Sequence, residues 1–256
     1  MDTENFKIFI NELADASGEY IAKSFGENID VDFKADNSPV TKIDKNTELL
    51  LREKISKKYP THGIIGEEFG NSNENAEFVW VLDPIDGTKS FITKVPLFGT
   101  LIGLMHCGKP VLGAINQPIL KERMVGDCKT CTFNGKRVEA SRRSSLEGIT
   151  LLSSDCRSCA DLFGAGAWGR LERKAAISRT WGDCYGYMLL CRGLAHVMCD
   201  PTLEVWDFTA LLPALQGAGA VYSDCRGGGS IGRECGLIAC CSKEIYAGAM
   251  EILSQK

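Results

Sequence analysis

Apolar residues recur at Phe6, Phe9, Ile10, Leu13, Ala14 and Ile21, close to helical spacing, and predict an amphipathic helix over residues 4–25. Gly26 and the polar residues after it stop that helix. Residues 29–40 read as extended, with Pro39 steering Ser38 away from helical geometry. A second helix is expected from Thr41 or Asp44 to Lys58, closed by Tyr59-Pro60. Ile64-Ile65 reads as a short buried strand, residues 71–77 as a polar loop, and Phe78 to Leu82 as an apolar strand stopped by Asp83-Pro84. Residues 98–105 and 111–116 predict two more strands joined by a turn at Gly108-Lys109-Pro110.

The second half continues the alternation. Strands are expected near 149–153, 195–199, 220–223 and 236–240, and helices near 182–192, 204–217 and from 243 onward. Strand and helix alternate without a clean repeat. That pattern predicts a layered α/β architecture in one domain, 1–256, and not a strictly parallel, doubly wound sheet.

Composition narrows the function classes. The formal charge is −4, and basic clusters such as Arg142-Arg143 are short, which argues against nucleic acid as the main partner. The first residues lack the basic-then-apolar order of a secretory signal, and no stretch has the apolar length of a membrane span. A cytoplasmic location is therefore expected, and with it reduced, mostly buried thiols for the twelve cysteines.

Candidate chemistry concentrates at one point. An apolar strand delivers Asp83 to its end, Pro84 cannot extend the ladder, and Asp86 follows three residues on. Gly87 permits close backbone approach, and Thr88 offers a hydroxyl where a helix over residues 87–92 would present free N–H groups to an anion. Carboxylates beside an anion site repel phosphate unless divalent cations intervene, and hard oxygen ligands suit Mg²⁺. Taken alone, Asp-Pro and Asp-Gly are also common turn pairs.

Further motifs shift that balance. Asp83-Pro84-Ile85-Asp86-Gly87-Thr88 occurs with Gly66-Glu67-Glu68 upstream, Val205-Trp206-Asp207, Ala210 and Gly217-Ala218-Gly219-Ala220 downstream, and Lys34, Pro39-Val40-Thr41 and Asp44 near the start. Together these resemble, over nearly the whole chain and in the same order, the inositol monophosphatase family of Mg²⁺-dependent, Li⁺-sensitive phosphatases. The resemblance implies an α-β-α-β-α sandwich, two or three Mg²⁺ ions, a small phosphorylated metabolite as substrate and a homodimer. It also implies roles. Glu67, Asp83 and the Ile85 carbonyl would bind one ion; Asp83, Asp86 and Asp207 would bind the second. Thr88, assisted by Asp44, would orient the attacking water, with Glu67 helping to polarise it. The Gly87 and Thr88 N–H groups would hold phosphate. Glu68 is expected beside the ligands and not among them.

Trp181-Gly182-Asp183-Cys184-Tyr185-Gly186-Tyr187, with Asp200 beyond, resembles the histidinol-phosphatase branch more than the inositol branch. Histidinol phosphate carries an ammonium and an imidazole, which Asp183, Asp200 and Glu204 can pair with and Tyr185 or Tyr187 can stack on. The competing readings are that Asp183 caps the following helix and that both tyrosines belong to the core. Inositol 1-phosphate is the alternative substrate. A non-catalytic role in protein or RNA processing is the alternative class; retention of every metal carboxylate favours an enzyme.

Cys128-x-x-Cys131 and Cys156-x-x-Cys159 have zinc-like spacing but are read as coincidence in a cysteine-rich chain. Residues 128–132 also depart from the Gly- and Ala-rich hairpin that the resemblance implies. No catalytic pattern surrounds His62, His106 or His196, and Gly227-Gly228-Gly229 lacks the Lys-Ser/Thr of a nucleotide loop.

Overall fold

The computed structural model describes residues 3–27, 30–34, 39–232 and 235–255. Two helices, Thr3–Ser24 and Lys42–Lys58, form an outer layer on an eight-stranded sheet. That sheet runs, in spatial order, Lys136–Arg137, Cys131–Phe133, Glu122–Gly126, Lys109–Gln117, Gly99–His106, Phe78–Asp86, Gly63–Gly66 and Gly70–Ser72. Every neighbouring pair is antiparallel except Gly63–Gly66 with Phe78–Asp86. Helices Cys184–Cys191 and Val205–Gly217 lie between it and a five-stranded sheet ordered Ala175–Arg179, Ile149–Ser153, Val197–Asp200, Leu237–Cys240 and Val221–Ser223. Helices Cys156–Phe163, Ala165–Lys174 and Lys243–Ser254 make the last layer. The result is the five-layer α-β-α-β-α sandwich that the resemblance implied.

Strand alternation sorts the core. Trp80 and Leu82 face the two N-terminal helices and pack with Phe9, Leu13, Leu51 and Ile55. Leu101 and Ile115 face the opposite way and join residues of both sheets around helix Val205–Gly217. That helix can approach because Gly103, Gly113 and Gly126 are register partners across three strands. A Cβ on any of them would overlap Thr209, Ala210 or Ala214 of the helix. The glycine row is thus a trough in the sheet that sets the helix's height above it.

Several elements differ from the sequence expectation. Residues 31–33 and 39–41 pair as a small antiparallel ribbon, while residues 35–38 lie outside the described residues. The polar stretch after Phe69 includes an edge strand, Gly70–Ser72, held by backbone pairing that polarity does not report. The hairpin turn is at Cys107-Gly108, so Lys109 and Pro110 belong to the next strand; a register shift between Leu104 and Met105 accommodates the proline. The short strands at 122–126, 131–133, 136–137 and 175–179 and helices Cys156–Phe163 and Ala165–Lys174 carried too few periods to be read. A usable signal existed for the first helix: Asp155 caps it, accepting from the N–H groups of Arg157 (2.8 Å) and Ser158 (2.9 Å). Despite its unusual sequence, 128–132 still leads into a hairpin, turning at Asn134-Gly135. No described helix is long and apolar enough to cross a membrane.

Candidate active site

Asp83 and Asp86 are three residues apart on one strand, which in a regular strand would place them on opposite faces. The strand does not stop at Asp83-Pro84, as its sequence predicted, but continues through a bulge to Asp86. Asp83 pairs with Leu101 and Asp86 with Gly99, so three residues advance on one strand against two on the other. The extra residue returns both carboxylates to the face occupied by helix Val205–Gly217. Thr100 Oγ1 donates to the Pro84 carbonyl at 2.9 Å, satisfying a buried acceptor at the bulge. The Ile85 N–H donates to Asp83 Oδ1 at 2.9 Å and orients that carboxylate.

Asp207 enters from the first turn of helix Val205–Gly217, its Oδ2 accepting from the Glu204 N–H at 2.7 Å. Asp83, Asp86 and Asp207 each offer an oxygen, all within 4.8 Å of one another. Burial above all holds the three well above the ordinary carboxylate range, and neighbouring carboxylates add to it: Glu67, Asp86 and Asp207 at Asp83, Asp183 and Asp207 at Asp86, and Asp200 and Glu67 at Asp207, where bonds from the Glu204 N–H and with Asp83 oppose the rise. Converging, oxygen-only donors, with Asp83 buried and Asp86 and Asp207 partly so, fit a hard divalent cation, whose charge removes the repulsion that otherwise protonates them.

Glu67 lines the same cleft but stands outside the tight trio. It accepts from Lys34 at 2.6 Å, and the same ammonium reaches Glu68 at 2.7 Å. Burial disfavours the Lys34 charge, but its two carboxylate bonds outweigh that and hold its pKa above the usual lysine range. Glu68 is almost buried, and desolvation raises its pKa. Sequence reasoning missed the residue that shapes this loop. Glu48 is fully buried, accepts from Arg52 Nε at 2.7 Å, and takes the N–H groups of Glu68 (2.7 Å) and Phe69 (3.2 Å). Its sequence signal was an acid four residues before an arginine on a helix, a pattern that ordinarily marks a solvated face.

Gly87 has φ 83°, in the left-handed region, and begins helix Thr88–Ile92. A Cβ there would lie 2.9 Å from Asp183 Oδ2, so the glycine also makes room for that carboxylate. The first N–H groups of a helix have no partner within it, as a phosphate site requires. Thr88 Oγ1 donates to the Ile85 carbonyl at 3.0 Å. Asp44 instead accepts from Thr41 N (2.9 Å) and Thr41 Oγ1 (2.5 Å), closing a capping box on helix Lys42–Lys58. The expected Thr88–Asp44 link is therefore not a direct hydrogen bond here. Burial, against those bonds, pushes the Asp44 pKa up to about 6.

Of the remaining candidates, Glu204 lines the cleft, while Asp183 and Asp200 are not among its lining residues. Asp183 occupies the N-cap position of helix Cys184–Cys191, but its side chain makes no cap bond. Its backbone has φ 45° and ψ −150°, an uncommon conformation for a residue with a Cβ. Burial pushes its pKa up to about 6, with Lys89 pulling it down. The adjacent Cys184 N–H donates to Asp86 Oδ2 at 2.5 Å, tying this helix start to the carboxylate trio. Glu204 lines the cleft with Thr202, Leu203 and Trp206. Asp200 lies deeper, accepting from Ser154 Oγ at 2.8 Å, and burial pushes its pKa up to about 7. Tyr187 is in the core, and Tyr185 donates to Glu122 at 2.9 Å, so neither ring turns toward the cleft. The cleft itself encloses about 460 Å³. A larger hollow of about 720 Å³ under the first helix is bridged by Lys7–Asp127 and Arg123–Asp15 ion pairs and lacks the convergent carboxylates.

Two of the histidines take structural places. His62 Nδ1 accepts from Trp80 Nε1 at 3.1 Å, and His196 Nδ1 accepts from the Thr150 N–H at 2.8 Å. His106 ends strand Gly99–His106.

Comparison with known proteins agrees with this geometry. The sequence profile of the inositol monophosphatase family matches residues 2–256. A bifunctional phosphatase IMPL2, chloroplastic, of Arabidopsis thaliana is 40% identical over 88% of this chain, which spans 66% of that relative's length. A histidinol-phosphatase of Chlorobaculum parvum is 37% identical over 86% of each chain. A solved inositol monophosphatase from Zymomonas mobilis superposes with a TM-score of 0.86, at 33% identity, over 99% of both chains. The chain belongs to the inositol monophosphatase family, a family of metal-dependent phosphomonoester hydrolases.

Proposed function

We propose that this chain is a Mg²⁺-dependent phosphatase of L-histidinol phosphate, releasing histidinol and inorganic phosphate. The observation that carries the reading is the convergence of Asp83, Asp86 and Asp207 in a cleft that Glu204 also lines. Asp83, Asp86, Asp207, Glu67 and the Ile85 carbonyl are the groups that would hold two or three Mg²⁺ ions. Bound there, the ions supply charge neutralisation and an activated water.

The chain's own groups do the rest. The Gly87 and Thr88 N–H groups hold phosphate oxygens at a helix start. The Thr88 hydroxyl fixes the approach of the attacking water, with its own orientation set by the Ile85 carbonyl. Asp44, beside Glu67, acts on that pair through the local charge and by anchoring the neighbouring chain. Asp183 and Glu204 provide the carboxylates that meet the substrate's ammonium and imidazole, and Asp200 supports them from below. Kinship with a histidinol-phosphatase at 37% identity supports this choice over inositol 1-phosphate.

The test is a phosphate-release panel with and without Mg²⁺ on histidinol phosphate, inositol 1-phosphate, fructose 1,6-bisphosphate and adenosine bisphosphate. The highest kcat/KM is expected for histidinol phosphate. A higher value for inositol 1-phosphate would overturn the substrate and leave the phosphatase reading standing. No release from any substrate would favour a binding role.

A further inference from the structure

At the end of strand Phe78–Asp86 remote from the carboxylate trio, a second cluster of donors forms. Glu77, His106 and Cys107 each bring one ligand atom to a common point, all within 4.8 Å of one another. The fold assembles them by pairing Phe78 with His106 and by a backbone bond from the Cys107 N–H to the Glu77 carbonyl at 2.8 Å. His106 is held in orientation by stacking on Phe78, with centroids 4.6 Å apart and planes at 22°. Its Nε2 already faces Glu77 Oε1 at 3.0 Å. Cys107 is exposed, so its sulfur is open to an incoming ion.

The position of the cysteine is itself unusual. Cys107 (φ 49°) and Gly108 (φ 75°) form the two-residue turn of a hairpin. Positive φ at both sites favours Asn-Gly or Asp-Gly, since a residue with a Cβ resists the first of them. Cysteine gives up that local preference and gains a thiol beside an imidazole and a carboxylate.

We propose that Glu77, His106 and Cys107 form a Zn²⁺ site, with water in the fourth position. A thiolate, an imidazole and one carboxylate are the donor types Zn²⁺ takes, and three protein ligands leave a tetrahedral ion one open place. Mg²⁺ prefers oxygen donors and octahedral geometry, so this cluster discriminates against the ion suited to the catalytic cleft. Binding forms the Zn–S bond and releases the Cys107 thiol proton to solvent. The strand separates the two sites by about 25 Å, taking roughly 3.3 Å per residue.

Zn²⁺ titration calorimetry on the intact protein in excess Mg²⁺ tests the site, together with Co²⁺ absorption in the thiolate-to-metal charge-transfer region. The wild type is expected to bind one more Zn²⁺ equivalent than Cys107→Ser or His106→Gln. It should show a cobalt–thiolate band that Cys107→Ser abolishes and that Cys156→Ser, removing the other exposed thiol among the described residues, leaves intact. Unchanged zinc stoichiometry in both ligand variants would overturn the proposal, as would a band that is absent from the wild type or lost only with Cys156. Circular dichroism matching the wild type confirms that each variant is folded.

Discussion

The two walls of the cleft are built on different principles. On the side of the eight-stranded sheet, a bulge, a glycine row and a helix start bring several acids onto one point, so each depends on the others. Asp83 and Asp86 share a face only because of the bulge, and Asp207 reaches them because Gly103, Gly113 and Gly126 admit its helix. On the other side Glu204 lines the cleft, while Asp183 and Asp200 stand outside its lining, come from separate segments and keep different surroundings. Asp183 packs against Gly87, while Asp200 is held by Ser154. A cooperative wall suits a step common to every phosphomonoester, whereas separable acids can change singly and so suit selection of the alcohol.

The strongest way to break that contrast is at the shared carboxylate. Asp83→Asn removes a charge from the trio and should cut turnover by several orders of magnitude on every substrate alike. Chelation by EDTA should abolish wild-type activity and Mg²⁺ should restore it, with circular dichroism verifying the fold of the variant. A folded Asp83→Asn protein with near-normal turnover would remove the basis for the proposed chemistry.

Thr88→Ala probes the same wall more gently. Loss of a positioned hydroxyl is expected to lower kcat by roughly tens- to thousands-fold while Mg²⁺ affinity changes little. Metal titrations followed by calorimetry separate the two effects. Weakened Mg²⁺ binding with full turnover at saturating metal would instead make Thr88 a support for the Ile85 carbonyl.

Asp183→Asn sharpens the contrast, because it should act on one substrate and not the other. The loss in kcat/KM for histidinol phosphate is expected to be roughly 1.5–3 kcal/mol, the range for bonds to charged groups. Inositol 1-phosphate should be affected much less, since an amide still accepts from a hydroxyl. Equal losses on both substrates would assign Asp183 to holding Gly87 and the helix start.

The smallest effect is expected from Asp200, read through stability. Its folded pKa of about 7 lies above the unfolded carboxylate value, so the native state retains a proton that the unfolded state releases. Its contribution is therefore greatest at low pH and is lost as pH rises toward about 7. Between about pH 5 and pH 8, denaturant midpoints should show the wild type losing on the order of 2 kcal/mol more than Asp200→Asn. Parallel pH dependence in the two proteins would mean that Asp200 is not the group that titrates.

The site residues were legible to very different degrees. Asp83, Asp86, Glu67 and Asp207 stood out through their motifs, and the structure gathers Asp83, Asp86 and Asp207 and sets Glu67 at the same cleft. Glu48 was not legible, because nothing in a helical i,i+4 acid–arginine pair tells a buried anchor from a solvated one. Asp183 was visible as an acid before a helix, where capping was an equally good reading until its carboxylate was seen to lie against Gly87 without a cap bond.

By itself the sequence determined the long helices, the apolar strands and the order of the acidic motifs, because hydrophobic period and turn chemistry act over a few residues. Only the tertiary structure decided that the strand runs on past Pro84, that a bulge turns Asp86 to the face of Asp83, and that a turn cysteine meets Glu77 and His106. Those outcomes depend on register against a neighbouring strand and on how closely a helix can settle on a sheet. Both are set by residues distant in the chain, which local propensity cannot report.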